Sequence, residues 1–176
     1  MKKISMTDNQ IARVIAVNDM SKREKAVDSL LDRHLKDISS NKSDIMVLNE
    51  SFYSKIMYSP KSYARWLLNL TSEIIYLNTE YNGYVNTNIN YTSSYTEFKF
   101  DIFNHKSKLD CDTEVSILIS KNGIVVDFDG EYASISRNRS EPTVWNAKIS
   151  EGLIEYLPLS KNNKNDKVKA KKLKNS

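Results

Sequence analysis

The sequence is poor in the residues that build disulfide frameworks, metal centres and phosphate loops. Its 176 residues include one cysteine, Cys111, two histidines, four glycines and three prolines. One cysteine excludes a disulfide within the chain. With only the well-separated His34 and His105 beside it, it is also too little for an ordinary structural zinc site. The motifs GxxxxGK[ST], GxGxxG and GxSxG are absent, so we predict no cofactor.

Long apolar runs are missing as well. No run approaches the ~18 residues that a membrane-spanning helix needs, so we expect no membrane association. The start of the chain, MKKISMTDNQ, has no apolar segment after its lysines, which argues against a secretory signal and favours the reducing cytoplasm. The abundance of Asn, Lys, Ile, Ser and Tyr is typical of AT-rich bacteria and their phages, and indicates a phage or mobile-element origin.

Charge is unevenly distributed along the chain. The net charge is +4, but residues 161–176 hold seven lysines and one aspartate, a net of +6, so residues 1–160 carry 4 − 6 = −2. We predict a single domain over residues 1–160 and a flexible lysine-rich tail over residues 161–176. Because lysines without aromatic residues act as diffuse positive charge, the tail is a candidate for binding nucleic acid or an acidic partner.

The first half of the sequence is typical of helices. Capping-box patterns at Thr7–Gln10 and Ser21–Glu24 precede apolar residues at spacings of three and four. A third helix is predicted to begin at Ser43, with a buried face formed by Ile45, Leu48, Phe52 and Ile56. A fourth begins at Ser59-Pro60 and ends at Asn82-Gly83.

The second half alternates apolar and polar residues with the period of two that strands have. We predict strands at 113–120, 123–128 and 131–137, and two earlier ones near 85–91 and 97–102. Asn122-Gly123 and Asp129-Gly130 are predicted hairpin turns. Residues 143–157 fit a short helix, or a strand followed by one. The predicted fold class is α+β, with about four N-terminal helices packed on an antiparallel meander of about five strands.

One short run has the appearance of a catalytic motif. IVVDFDG, residues 124–130, resembles the first motif of the haloacid-dehalogenase phosphatases, and this resemblance implies Asp127 as nucleophile, Asp129 as general acid and Mg²⁺ as cofactor. Only 176 − 129 = 47 residues follow Asp129, too few for further β-α units of ~30 residues beside the tail. The preceding Asn-Gly turn also predicts an antiparallel neighbour, so we reject the resemblance. The alternative is a half-buried strand that turns.

Three function hypotheses follow, and none has a catalytic set behind it. The leading one is a non-enzymatic regulatory protein that occupies a partner's surface through an uncharged aromatic segment containing Tyr81, Tyr84, Tyr91 and Tyr95. The alternative is nucleic-acid or acidic-partner binding through Arg137, Arg139, Lys167, Lys169, Lys171, Lys172 and Lys174. The weakest is a metal-dependent phosphoryl-transfer enzyme or nuclease, with a cation on Asp127, Asp129 and Glu131. Cys111 and His105 share one loop, but flanking aspartates disfavour a reactive thiolate there.

Overall fold

A computed structural model describes residues 6–16, 19–35, 44–48, 59–79, 83–103, 112–150 and 153. Within these ranges the chain forms three helices, α1 (Asp8–Ala16), α2 (Met20–His34) and α3 (Pro60–Thr79). It also forms seven strands, which are β1 (Ile45–Leu48), β2 (Tyr84–Tyr91), β3 (Tyr95–Phe103), β4 (Thr113–Ser120), β5 (Gly123–Phe128), β6 (Glu131–Arg137) and β7 (Val144–Ile149).

Polar side chains fix where the helices begin. At α1 the predicted capping box is present, because Gln10 N donates to Thr7 Oγ1 at 3.3 Å and Thr7 N donates back to Gln10 Oε1 at 2.9 Å. The cap of α2 is Asp19 rather than the predicted Ser21, since Asp19 accepts a hydrogen bond from Lys22 N at 3.3 Å. The hydrogen bond from Lys22 N lowers the pKa of Asp19 below its ordinary value, and a smaller contribution in the same direction comes from the Ser21 hydroxyl.

All seven strands belong to one sheet, in the order β1-β7-β6-β5-β4-β3-β2. The strands from β2 to β7 are antiparallel neighbours, and the predicted strands at 113–120, 123–128 and 131–137 have the predicted bounds. The prediction of about five strands was too small, because β7 extends the meander and β1 adds to it in parallel, with Ile45 opposite Val144.

The predicted helix after Ser43 is wrong over its first residues. Residues 45–48 form β1 instead, so the described part of the chain has three helices rather than about four. Two contacts hold β1 against the region of β7: Ile45 N donates to the Thr143 carbonyl at 2.9 Å, and the Trp145 indole donates to Asp44 Oδ2 at 2.9 Å. The remainder of the predicted helix, including Phe52 and Ile56, lies outside the described residues. Over the ambiguous segment 143–157, β7 confirms the strand of the second alternative. The helix predicted to follow it falls on residues 151–157, of which only Leu153 is described.

The helices cover one face of the sheet and form the core with it. α1 packs on β2, while α3 crosses β2, β3, β5 and β6. In β3, β4 and β5 every second residue is buried on the covered face, as in Phe98 and Phe100 of β3 and Ile117 of β4. Burial of each such side chain stabilises the fold by about 1.5–3 kcal/mol. We call the opposite face of the sheet the open face, since none of the described helices covers it.

His34 joins the helical layer to the sheet. Its Nε2 lies 3.3 Å from Oγ1 of the buried Thr96 on β3. Burial lowers the pKa of His34, the neighbouring Arg33 lowers it further, and Asp8 opposes both. The imidazole is therefore held preferentially in its neutral form in the folded protein.

Acidification is therefore expected to destabilise the fold through His34. Because the pKa of His34 in the folded protein lies below the ordinary histidine value of about 6.5, the unfolded chain binds more protons, and stability falls as the pH drops through that value. We expect the Tm to fall between about pH 7.5 and 5.5, a range centred on the ordinary histidine pKa. His34→Gln, which keeps a hydrogen-bonding group but does not titrate, should remove much of this decrease. If the Tm of the wild type and of His34→Gln falls equally with pH, His34 is not the source of the decrease.

Candidate functional site

β2 forms one edge of the sheet. Its eight residues pair one-to-one with β3, from Tyr84 opposite Phe103 to Tyr91 opposite Thr96, so the strand contains no bulge. Among the described residues no strand pairs with its other side. α1 and α3 contact β2 from the covered face, where Val85 and Ile89 are partly buried against the core.

The direction of the β2 backbone follows from one hydrogen bond at the β2–β3 hairpin. Thr92 N donates to the Tyr95 carbonyl at 2.9 Å, so this pair is of the hydrogen-bonded type. Hydrogen-bonded and non-hydrogen-bonded pairs alternate along an antiparallel ladder, so the even-numbered residues of β2 bond to β3. The odd-numbered residues therefore direct their N–H and C=O groups to the free edge, and these are Val85, Thr87, Ile89 and Tyr91.

The side chains of β2 do not protect this edge. The strand reads YVNTNINY and carries neither charge nor proline. Asn86, Asn88 and Asn90 are exposed on the open face, and Tyr91 is 63% exposed at the hairpin end. Natural edge strands are usually shielded from pairing by lysines, prolines, bulges or short length. β2 has none of these features, and within the described part of the chain its outward backbone groups have no strand partner.

The structure separates the predicted tyrosine cluster into two groups. Tyr91 and Tyr95 flank the β2–β3 hairpin, whereas Tyr84 lies at the other end of β2 and stacks on Phe103, with ring centroids 4.5 Å apart. Seven residues of strand place these ends roughly 24 Å from each other. Tyr81 lies outside the described residues. Tyr84 and Tyr91 are thus the two ends of β2, and Tyr95 begins β3 across the hairpin. Their role in partner binding stays a prediction.

The three carboxylates proposed for a cation each accept a hydrogen bond within the chain. Asp127 Oδ1 accepts from Gly130 N at 2.9 Å, Asp129 Oδ1 accepts from Glu114 N at 3.0 Å, and Glu131 Oε2 accepts from Ser150 Oγ at 2.5 Å. Asp127 and Asp129 line a shallow depression of about 270 Å³ together with Glu114, Ser116 and Gly130. In the described ranges no three His, Cys, Asp or Glu side chains are grouped to hold a metal. The contacts are those of side chains that shape a hairpin turn.

The two arginines have different surroundings. Arg137 lies on the covered face, with its guanidinium 4.5 Å from the ring centre of the buried Trp145, and its Nη1 donates to the Pro142 carbonyl at 2.8 Å. Arg139 is exposed in the loop before β7. Arg137 thus supports the β6–β7 connection. The tail lysines from Lys167 to Lys174, and the pair His105 and Cys111, lie outside the described residues.

The open face has an apolar centre that the sequence reasoning did not assign to a site. Leu118 of β4 lies opposite Val125 of β5, and Tyr132 of β6 is diagonal to Val125. These three side chains are 37%, 40% and 44% exposed. The sequence does contain a signal for it, because these strands place apolar residues at positions that their alternation assigns to the exposed face. Carboxylates surround this centre toward one end of the sheet.

No protein-family model matches this chain, and the comparisons with curated proteins and with solved structures find no similar protein. No helix among the described residues is long and apolar enough to cross a membrane.

Proposed function

We propose that this protein binds a protein partner by accepting an extended segment of that partner along the outer edge of β2. The supporting observation is a set of four outward-directed backbone units on an uncharged strand whose outer side has no described strand neighbour: Val85, Thr87, Ile89 and Tyr91. Backbone groups arranged in this way bind peptides by adding a strand to the sheet. The protein then acts by occupying its partner's surface, as a regulator or inhibitor without catalytic chemistry.

The side chains of β2 define the kind of segment that fits. A residue of the bound segment that pairs with Thr87 would place its side chain on the covered face, between Val85 and Ile89. This position favours an apolar side chain. A residue on the other face lies beside Asn86 and Asn88, which favours an amide or hydroxyl side chain. The expected ligand is an uncharged extended segment with alternating apolar and hydrogen-bonding residues. We also propose a cytoplasmic setting, which the single cysteine supports.

Thr87→Pro is expected to abolish partner capture, whereas Thr87→Val retains it. Both variants lose the hydroxyl group, but only proline removes the outward N–H and introduces a ring at the edge. Proline removes one backbone hydrogen bond and leaves the partner's carbonyl buried without a donor. This cost corresponds to at least about tenfold weaker binding. The measurement is quantitative pull-down with the wild-type protein and the two variants. Amide exchange at Val85, Thr87 and Ile89 is then measured with and without the captured protein.

The outcomes separate the hypotheses. Strand addition is supported if Thr87→Pro abolishes capture and if binding slows exchange of the odd-numbered amides of β2. Capture that survives Thr87→Pro contradicts it. If nuclease treatment removes the captured material, the nucleic-acid alternative, with the tail lysines as the electrostatic anchor, is favoured. Slow exchange of the odd-numbered amides in a dimer of the isolated protein would mean that a second copy occupies the edge.

A further inference from the structure

The carboxylates of the open face are concentrated at one end of the sheet. Asp101 of β3 lies directly opposite Glu114 of β4, an arrangement of like charges that destabilises a sheet. Asp127 lies one strand further along, opposite Ser116, and Asp129 accepts the Glu114 amide. No described lysine or arginine forms an ion pair with any of these four carboxylates.

The lysines of this face are distant from the acidic end or already engaged. Lys99 Nζ lies 3.9 Å from Glu97 on its own strand. Lys148 of β7 lies opposite Ser134, in the same cross-strand row as Val125 and Leu118. It is therefore beside the apolar centre and not at the acidic end. Lys99 lies in this end, in one row with Ser116 and Asp127, but its described ion pair is with Glu97. The acidic end of the open face therefore adjoins an apolar centre. A segment that combines lysines with small apolar residues complements both features.

The chain leaves β7 at this same end of the sheet. Ser150 follows β7 directly, its N–H donates to the Tyr132 carbonyl, and its hydroxyl donates to Glu131 beside the Asp129-Gly130 turn. β7 and β3 are four strand spacings apart, or about 19 Å. The seven residues from 154 to 160 span up to roughly 23 Å when extended. The segment from Lys161 onward can therefore reach the acidic end without disturbing the sheet.

We propose that the lysine-rich segment 161–176 of this chain docks on the acidic end of the open face, beside Leu118, Val125 and Tyr132. The segment carries a net charge of +6 from seven lysines and one aspartate, and Val168, Ala170 and Leu173 stand among its lysines. Its charge offsets the repulsion between Asp101 and Glu114, while its apolar residues cover the exposed centre of the face. This surface is distinct from the β2 edge, so the proposal does not depend on the proposed function.

The test is carbodiimide cross-linking of the full-length protein, which joins carboxylates directly to lysine amines, followed by peptide mass spectrometry. Asp28 and Glu73 on the helical layer are the internal reference, since their side chains are 53% and 49% exposed. We expect tail lysines to be joined to Asp101, Glu114 or Asp127 about tenfold more often per carboxylate than to the reference pair, the ratio that ~1.4 kcal/mol of preference gives. The preference should fall at ~1 M salt, where the Debye length is about 3 Å.

Two controls make the result decisive. Mixing isotopically labelled and unlabelled chains distinguishes cross-links within one molecule from those between molecules. The variant with glutamine at Lys167, Lys169, Lys171, Lys172 and Lys174 leaves the described residues unchanged and should make Leu118, Val125 and Tyr132 more accessible to a hydrophobic dye. Cross-links spread evenly over both layers, or formed mainly between chains, would overturn the proposal.

Discussion

Gly123→Ala is expected to destabilise this protein strongly, and much more than Gly130→Ala. A Cβ at Gly123 would lie 1.9 Å from the Ile135 carbonyl oxygen, and the backbone φ of +147° is one that L side chains rarely adopt. The nearby atoms belong to the backbone of β6, so they cannot move without breaking the β5–β6 pairing. We expect a loss of more than about 4 kcal/mol, beyond the usual range for point substitutions.

Gly130→Ala is the matched control for this effect. Gly130 also has a positive φ, of +90°, but a Cβ there would meet nothing within 4 Å. The expected cost is only the conformational one, about 1–2 kcal/mol. Urea unfolding followed by circular dichroism measures both variants. Equal midpoints for the two alanine variants would mean that β5 and β6 do not approach each other at Gly123 as described.

Proline at two adjacent positions of β2 is expected to give opposite results. Asn88→Pro removes an N–H that bonds to β3 at Lys99, whereas Thr87→Pro removes one that points to the free edge. Edge strands tolerate proline only where the N–H faces outward. The first variant should therefore be less stable than the second by about 1–3 kcal/mol, the cost of leaving a buried backbone partner unsatisfied.

Unfolding midpoints of the two proline variants test the assigned direction of the strand independently of any partner. If Thr87→Pro is the more damaging change, the alternation along β2 is reversed and the outward groups belong to the asparagines. If both are equally damaging, the edge is covered in the folded protein, and the strand-addition proposal fails with it. A stable Thr87→Pro protein is also the reagent that the capture experiment requires.

The local features of the sheet could be predicted from the sequence because they depend on neighbouring residues. Alternation with period two fixes which side chains of β4 and β5 are buried, and it requires no knowledge of the rest of the fold. The Asp129-Gly130 turn is equally local, since both residues adopt the positive φ, +48° and +90°, that this hairpin needs. For these reasons the bounds of β4, β5 and β6 were predicted without error.

The parts that could not be predicted depend on distant residues. Ile45 and Leu48 have helical spacing, yet their segment becomes β1 because β7 offers an edge and Trp145 a donor for Asp44. Strand order likewise decides that β2 lies at an edge, and no local pattern in YVNTNINY indicates it. The tyrosines were close in sequence, but a strand spreads Tyr84 and Tyr91 over its full length.

The acidic motif shows how one set of residues can suggest two different chemistries. Asp127 and Asp129 are placed two apart in a manner that resembles a phosphatase motif, but their turn is closed by bonds to Gly130 N and Glu114 N. The bond from Gly130 N to Asp127 is local to the turn, whereas the bond from Glu114 N to Asp129 depends on the pairing of β4 with β5. The same pairing brings Leu118 beside Val125, which the sequence marks only as an irregularity in two separate strands.

The parallel pairing of β1 with β7 has a consequence for how the chain is made. Ile45 and Val144 are 144 − 45 = 99 residues apart, so on the ribosome β1 emerges long before its partner strand exists. The hairpins from β2 to β6 close between neighbours and can form as they emerge, because local contacts form fastest. β1 cannot pair until β7 has been synthesised. Even in the folded protein, Ile45 and Val47 of β1 are 60% and 50% exposed. Nascent chains stalled before residue 144 will therefore present β1 unpaired, and that interval is when a chaperone would meet it.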